Sequence, residues 1–506
     1  MKAITPSLIA YLIIWLALIA AGREKLFHDD DTYWHIAVGR EILQSGEFIT
    51  ADNYSCTRNG QPWIAHQWLG ECGLAVIDRA AGWDGLLLST TAALAALYGW
   101  IASRLLAAGL HGLVAALWIT IAIAASANNL LIRPHMATLV LLGVVFGILS
   151  AVDHRRIGLA FLWWLVPIML VWSNTHGGVI GGLGTIAIVF AGWTLCYWFG
   201  RTSPLRSPRD VLLLFCVGML SCVTTIVTPY GTGTIGAWRR ILAGDLSNLV
   251  IEHAPMNPLS PEGGMVVLLA ILYLVVQCTN GRITVTSLIP LIWCWLSISR
   301  IRHAPLFAVV AMIATTEMLP HSRVGQWLGR RGFWKVPSVP PPTNRWWQPA
   351  IVVTVLVLIT SAIIHHVGPS RGRTWSWARP HSANWPVELL PALQQYSEGG
   401  RRSINILNDE EYAGFLIYNC PEYKVFIDSR CELYGDDFLR QYVQHQGDPE
   451  KVGEWIAAYS LQAALVKKGS PLRQSLAELP GWQMESENPR AEFWVRMPSG
   501  LPANDQ

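Results

Sequence analysis

The run His28-Asp29-Asp30-Asp31-Thr32-Tyr33-Trp34-His35 sets three carboxylates between two imidazoles, just past the first apolar segment of the chain. Carboxylates this close raise one another's proton affinity, which suits a base working near neutral pH. One can take a proton from a hydroxyl, while another orients the first or holds a divalent cation such as magnesium or manganese. A helix starting at Asp31 puts His35 one turn on and on the same face. That spacing favours Asp31 and Asp29, with His35, as the reactive or cation-holding set. The same residues also suit a plain helix start, where acids complement the helix dipole.

Further polar clusters sit at the ends of apolar segments. They are Arg133-Pro134-His135, Asn174-Thr175-His176-Gly177-Gly178, Thr228-Pro229-Tyr230-Gly231, Glu252-His253 and Arg300-Ile301-Arg302-His303. Guanidinium forks match phosphate oxygens, although arginine at a span end also snorkels to lipid headgroups. Histidine can neutralise phosphate, bond sugar hydroxyls or join a metal site. Candidate binding residues are therefore Arg133, His135, Asn174, His176, Arg300, Arg302, His303, His66, Glu252 and Trp34, the last as a stacking surface. Interfacial anchoring explains the tryptophans equally well.

The elements that must position these groups are mostly apolar. Of 506 residues, 52% are hydrophobic and 14% charged, against roughly 25% charged in an ordinary soluble domain. A spanning helix needs roughly 20 apolar residues. Candidate spans fall near 5–22, 85–107, 109–127, 136–152, 157–173, 177–199, 211–228, 264–279, 283–298, 304–320 and 348–366, about 11 in all. The first is read as an uncleaved span, since no small-residue cleavage site follows it.

With the N-terminus in the cytoplasm, Arg155, Arg156, Arg201, Arg206, Arg209, Arg282, Arg323, Arg330, Arg331, Lys335 and Arg345 face inward, as the positive-inside rule asks. Arg239 and Arg240 are the main exception. The polar clusters then all face outward. The first outer loop, 23–84, reads as two amphipathic helices along the membrane. One runs from Asp31, as cap, to about Gln44 and stops at Gly46. The other runs from His66 to Ala81, with an irregular link at 52–64 between them.

The expected organisation is a membrane module over 1–366, with a proline-stiffened cytoplasmic linker at 337–342 before its last span, and an extracytoplasmic domain over 372–506. In the tail, Ser403–Leu407, Lys424–Ile427, Gln462–Val466 and Phe493–Val495 read as strands. Helices are expected at 435–446, 449–459 and 471–478, so the tail is a small α/β domain. The nine cysteines form no CxxC pair, which argues against a zinc site. A Cys420–Cys431 disulfide is an open option in an oxidising compartment. No phosphate loop, dinucleotide fingerprint or serine-nucleophile motif stands out, and nothing points to nucleic acid.

The chain resembles the large group of uncharacterised prokaryotic multi-spanning proteins assigned to the GT-C glycosyltransferase superfamily, relatives of protein mannosyltransferases and lipid-A aminoarabinose transferases. The resemblance rests on Asp29-Asp30-Asp31-Thr32-Tyr33-Trp34-His35, Gly39-Arg40, Pro62-Trp63, His66, Trp68-Leu69 and Glu71. It continues through Arg133-Pro134-His135, Asn174-Thr175-His176-Gly177, Pro229-Tyr230-Gly231 and Arg302-His303. In the tail it takes in Asn408-Asp409, Tyr412, Gly414 and Lys424-Val425-Phe426-Ile427-Asp428-Ser429-Arg430. It implies a lipid-phosphate-linked sugar donor, an acidic catalytic residue in the first outer loop and transfer with inversion. Gln67 stands where glutamate is expected beside Trp68, and His253 follows Glu252 where tryptophan is commoner.

The expectation is an α-helical polytopic protein in a bacterial inner membrane that moves a sugar from a polyprenyl-phosphate donor to a glycan, lipid or protein hydroxyl. A metal-independent polymerase or ligase of lipid-linked glycans is the alternative. A transporter is a third reading. It is disfavoured because transporters place charged groups at the bilayer midplane, whereas here the spans are nearly charge-free.

Overall fold

The computed structural model describes residues 6–244, 253–334, 377–378, 385–398 and 403–497. The expected span at 348–366, the linker prolines and Glu252 lie outside the described residues. The helices in chain order are α1 (Pro6–Lys25), α2 (Asp31–Ser45), α3 (Trp68–Ala107), α4 (Gly112–Ser126), α5 (His135–Asp153), α6 (Leu165–Thr175), α7 (Val179–Trp198), α8 (Pro208–Val223), α9 (Gly233–Ala243), α10 (Pro261–Thr279), α11 (Val285–Ser299), α12 (Ala304–Met318) and α13 (Arg323–Arg330). Among the described residues, eight helices are long and apolar enough to cross a membrane, and two shorter apolar helices cover 159–175 and 285–299. They coincide with the spans expected from hydropathy.

The chain divides into two compact units. The first comprises Met1–Gly22, Arg79–Thr234 and Leu246–Trp375; the second comprises Arg23–Asp78, Ile235–Asp245 and Ser376–Gln506. In the first, α12 is the central helix, with every residue from Ala304 to Met318 buried except Leu306. Its single charge, Glu317, is 3% exposed. Arg104 of α3 and Arg156 beyond α5 both pair with it, since a buried carboxylate survives only when paired. That end of the unit also holds Asp153, which accepts from the Thr286 N–H and hydroxyl at 2.8 and 2.7 Å. Trp15 Nε1 donates to Thr91 Oγ1 at 3.2 Å and ties α1 to α3.

In the second unit the tail is a small α/β domain, as the strand and helix patterns suggested. Its strands are β1 (Ile404–Asn408), β2 (Tyr423–Val425), β3 (Ala463–Lys467), β4 (Trp482–Glu487) and β5 (Ala491–Arg496). The sheet has five strands in the order β2-β1-β3-β5-β4. β2, β1 and β3 run parallel; β5 and β4 are antiparallel. The tail helices are α14 (Leu390–Glu398), α15 (Ala413–Asn419), α16 (Asp436–His445), α17 (Pro449–Ala458) and α18 (Pro471–Glu478). Strand β4, WQMESE, has no apolar alternation and lies largely exposed on the sheet edge, so its sequence carries no strand signal.

The loop segment 23–78 folds in this same unit. α2 begins at Asp31 and ends at Gly46, which adopts φ 72°. The cap residue is Asp30 rather than the expected Asp31, and its side chain makes no cap hydrogen bond. α3 starts at Trp68, two residues after the expected start, and bends at Gly82. The irregular link lies along β2: Val425 N–H donates to Tyr54 O at 3.0 Å, and Cys56 N–H to Val425 O at 2.9 Å. Tyr33 of α2 is fully buried, edge-on to Trp385, Phe415 and Tyr418 at 5.1, 6.0 and 5.5 Å.

Gly414 in α15 allows α2 its close approach: a Cβ there would collide with the Asp30 carbonyl. Gly414→Ala should cost ~1–3 kcal/mol by overpacking and lower the thermal midpoint of the purified protein. Gly73→Ala, where a Cβ meets nothing within 4 Å, should lower it little or raise it slightly.

Candidate functional site

The second unit gathers the acidic run and the tail motif into one place. Asp29, Asp30 and Asp31 each offer a carboxylate oxygen within 4.8 Å of the others. Asp31 Oδ1 accepts from Trp34 Nε1 at 2.9 Å and from the Ser429 hydroxyl. Trp34 Nε1 also lies 3.1 Å from Ser429 Oγ. Asp31 and Ser429 are 398 residues apart in the chain.

Behind Ser429 stands Arg430, 2% exposed. Its Nε and Nη2 donate to the two Asp428 oxygens at 2.9 and 2.6 Å. Nη2 also reaches Asp52 Oδ1 at 2.6 Å. The guanidinium lies over Trp63 and Tyr54, 4.5 and 5.1 Å from the ring centres. Glu410 follows β1, and Asp428 and Ser429 follow β2. The carboxyl ends of parallel strands are where α/β sheets present ligand-facing groups.

The electrostatics follow from crowding. Burial, then the charges of Asp31, Glu410 and Asp428, push the Asp30 carboxyl well above the carboxylate range, against the Gly414 N–H that bonds it. Burial, then Asp31, Asp428 and Glu411, push Glu410 up to about 7. Asp409, after β1, rises to about 6 through burial, opposed by its bonds from the Lys467 N–H and Ser470. The neighbouring Cys431 thiol is pushed well up by burial and the surrounding acids, which leaves it inert as a nucleophile.

His35 faces away from the acidic group. It is 2% exposed, and its Nδ1 lies 3.0 Å from Glu71 Oε1 of α3, itself 1% exposed. Trp34 covers it, ring centres 3.7 Å apart. The cluster able to hold a cation is thus Asp29, Asp30 and Asp31, without His35. His66 is buried, and burial draws its pKa below the ordinary value. Cys420 and Cys431 are free thiols; no disulfide joins them, since Cys420 is fully buried and Cys431 Sγ turns to the Ser429 carbonyl.

The first unit carries the cationic candidates, all at the end of the helices opposite Glu317. Arg302 donates to Nε2 of buried His253. His135 Nε2 bonds Asn129 O at 2.9 Å, and Asn129 Nδ2 reaches Ile301 O at 3.3 Å. The His135 and His176 rings stand 6.2 Å apart. His176 Nδ1 accepts from the Gly178 N–H at 2.9 Å and meets Thr138 Oγ1 at 2.8 Å. Asn174 Nδ2 donates to Leu170 O and Val227 O at 2.9 and 3.0 Å. His303 Nδ1 bonds Leu296 O at 3.1 Å. Arg133 and Arg300 are half-buried beside these groups in sequence.

Sequence reasoning had not put Glu71, Asp52, Glu410, Asp428, Ser429 or Arg430 in the site. The available signals were the resemblance, which takes in Glu71 and Asp428-Ser429-Arg430, and the position of the latter directly after a strand.

No protein-family model and no curated protein matches the chain. Among solved structures it is similar to the Archaeoglobus fulgidus oligosaccharyltransferase, determined in complex with zinc and sulfate. The likeness has 11% sequence identity and a TM-score of 0.45, and covers 98% of this chain and 74% of that one.

Glu410 generates a pH prediction. Its folded pKa of about 7 exceeds the ordinary 4.5, so the folded state keeps a proton that the unfolded chain has released. The stability this brings is fully present below the unfolded value and is lost as pH rises through about 7. Thermal midpoints taken in chelator should therefore rise from pH 8 to pH 5.5, and Glu410→Gln should flatten the slope.

Proposed function

We propose that the protein is a membrane glycosyltransferase that moves a sugar from a polyprenyl-phosphate donor to an extracytoplasmic hydroxyl with inversion. The observation that carries this reading is Asp31, a half-buried carboxylate at a helix start, oriented by two donors inside an acidic cluster, in a chain built mainly of spanning helices. Asp31 takes the acceptor hydroxyl proton as that oxygen attacks the anomeric carbon from the face opposite the phosphate. The bond from the anomeric carbon to the phosphate oxygen breaks, and polyprenyl phosphate leaves with the electron pair. Back-side attack inverts the centre.

The phosphate falls to the arginines of the membrane unit, with Arg302 first and Arg133 and Arg300 beside it. Fixed positive charge there stabilises the leaving group. His135, His176 and His303 supply hydrogen bonds, and Trp34 supplies an aromatic edge. His35, being buried, acts through Trp34. Residues of the α/β domain bind the acceptor.

Three close carboxylates are hard oxygen donors suited to magnesium or manganese. Asp30 Oδ2 is also buried without a hydrogen-bond partner, so Asp29, Asp30 and Asp31 fit such a cation. Bound there, it would offset the charge of the phosphate. The positive residues at one end of the helices support a cytoplasmic N-terminus in a bacterial inner membrane.

Asp31→Asn should lower transfer roughly 10²–10⁴-fold, the contribution of a general base. A deletion strain should accumulate lipid-linked sugar and lose one surface glycan, read by mass spectrometry, and Asp31→Asn should fail to restore it. Undiminished transfer at normal expression rejects Asp31 as base. Activity retained in both Asp29 and Asp31 variants but lost in Arg302→Ala turns the reading to a metal-independent polymerase or ligase of lipid-linked glycans.

A further inference from the structure

Two distant parts of the chain meet at a single oxygen atom, Asp31 Oδ1. One donor, Trp34 Nε1, comes from the same helix; the other, the Ser429 hydroxyl, comes from the α/β domain. The two donors also touch each other, so the three side chains form a closed ring. Each donor is anchored from behind. The Trp34 ring rests on His35, which Glu71 holds.

The backbone leading to Ser429 is pinned by Asn408. Its Oδ1 accepts from the Phe426 N–H at 2.8 Å, and its Nδ2 donates to Ile427 O at 2.9 Å. On the far side, Arg430 is fixed between Asp428 and Asp52. A hydroxyl on so constrained a backbone has little freedom to leave its acceptor.

The geometry points to Ser429 as a positioning residue of the transfer reaction: a serine of the C-terminal domain, at the carboxyl end of its parallel strands, fixes the plane of the Asp31 carboxylate. The domain is then part of the reaction centre, beyond any part it has in covering the site or gripping the acceptor. The inference rests on the reading of Asp31 as base. Ser429 acts through Asp31, with no contact to the reacting atoms. Hydrogen bonds to an ionised group are the strong ones, and a small misaiming of a reacting group costs rate more than binding.

The test uses full-length protein in native membranes. The donor probe is the lipid extract of a deletion strain, in which unused lipid-linked sugar collects. Ser429→Ala should lower kcat about tenfold, a typical cost for one oriented, charge-assisted bond, with KM within about twofold. Ser429→Thr keeps the hydroxyl and should recover kcat to within about threefold. Trp34→Phe removes the other donor, and the double variant should be slower than either single one.

Wild-type kcat in Ser429→Ala, with Asp31→Asn inactive, overturns this inference and leaves the base reading standing. Equal losses in Ser429→Ala and Ser429→Thr, or a loss confined to KM, overturn it as well. Activity retained in Asp31→Asn removes both the base and the residue that aims it. Thermal midpoints of the variants separate loss of folding from loss of rate.

Discussion

A guanidinium almost without access to water sets the terms for the second unit. Arg430 exchanges hydration for two Asp428 oxygens, one Asp52 oxygen and two aromatic faces. Burial of a charge is tolerated only when it is paired and hydrogen-bonded, and here Nε and Nη2 carry the bonds while Nη1 makes none among the described residues. Two carboxylates answer one guanidinium, so the triad keeps a net negative charge. Burial raises the proton affinities of Asp30 and Glu410, and the charges of Asp31 and Asp428 add to it. One member of the triad, Asp428, thus adds to the electrostatics of the acidic cluster from behind.

The same triad explains why the 23–78 segment folds where it does. Alone, that segment is two amphipathic helices and an irregular link, too little to bury a core. Asp52 ties the link to Arg430, Tyr54 and Cys56 pair with Val425, and Thr57 Oγ1 donates to Phe426 O at 2.8 Å. α2 then settles against α15 and α3. At its near end Gly414 admits the Asp30 carbonyl; further along, Gly39 admits that of Glu71. Arg40 continues the seam, bonding Asp78 at 2.5 Å and the Tyr418 hydroxyl at 2.8 Å. Small residues at the crossings and buried ion pairs between them hold Asp31 to its place.

Much of this was legible in the sequence, for physical reasons that differ by element. The spans are set by the thickness of a bilayer, which demands long uninterrupted apolar runs. α2 was legible from its acids and from Gly46, and the parallel strands from their apolar cores. The joining of loop and tail was not legible, because no periodicity connects Asp31 with Ser429 across 398 residues. Helical spacing put His35 on the Asp31 face but could not reveal Glu71, which arrives from another helix. β4 gave no signal because an edge strand with both faces wet needs no apolar alternation.

The cationic group of the membrane unit has an internal logic of its own. His176 Nδ1 accepts from the Gly178 backbone N–H and meets the Thr138 hydroxyl. His253 accepts from Arg302 through Nε2. His135 donates through Nε2 to the Asn129 carbonyl. Each of these imidazoles thus bonds a fixed partner within its own unit, and the permanent positive charge of the group resides in its arginines. Arginine keeps its charge at any physiological pH, whereas histidine would not. In the other unit it is carboxylates, Asp30, Asp409 and Glu410, whose proton affinity burial raises.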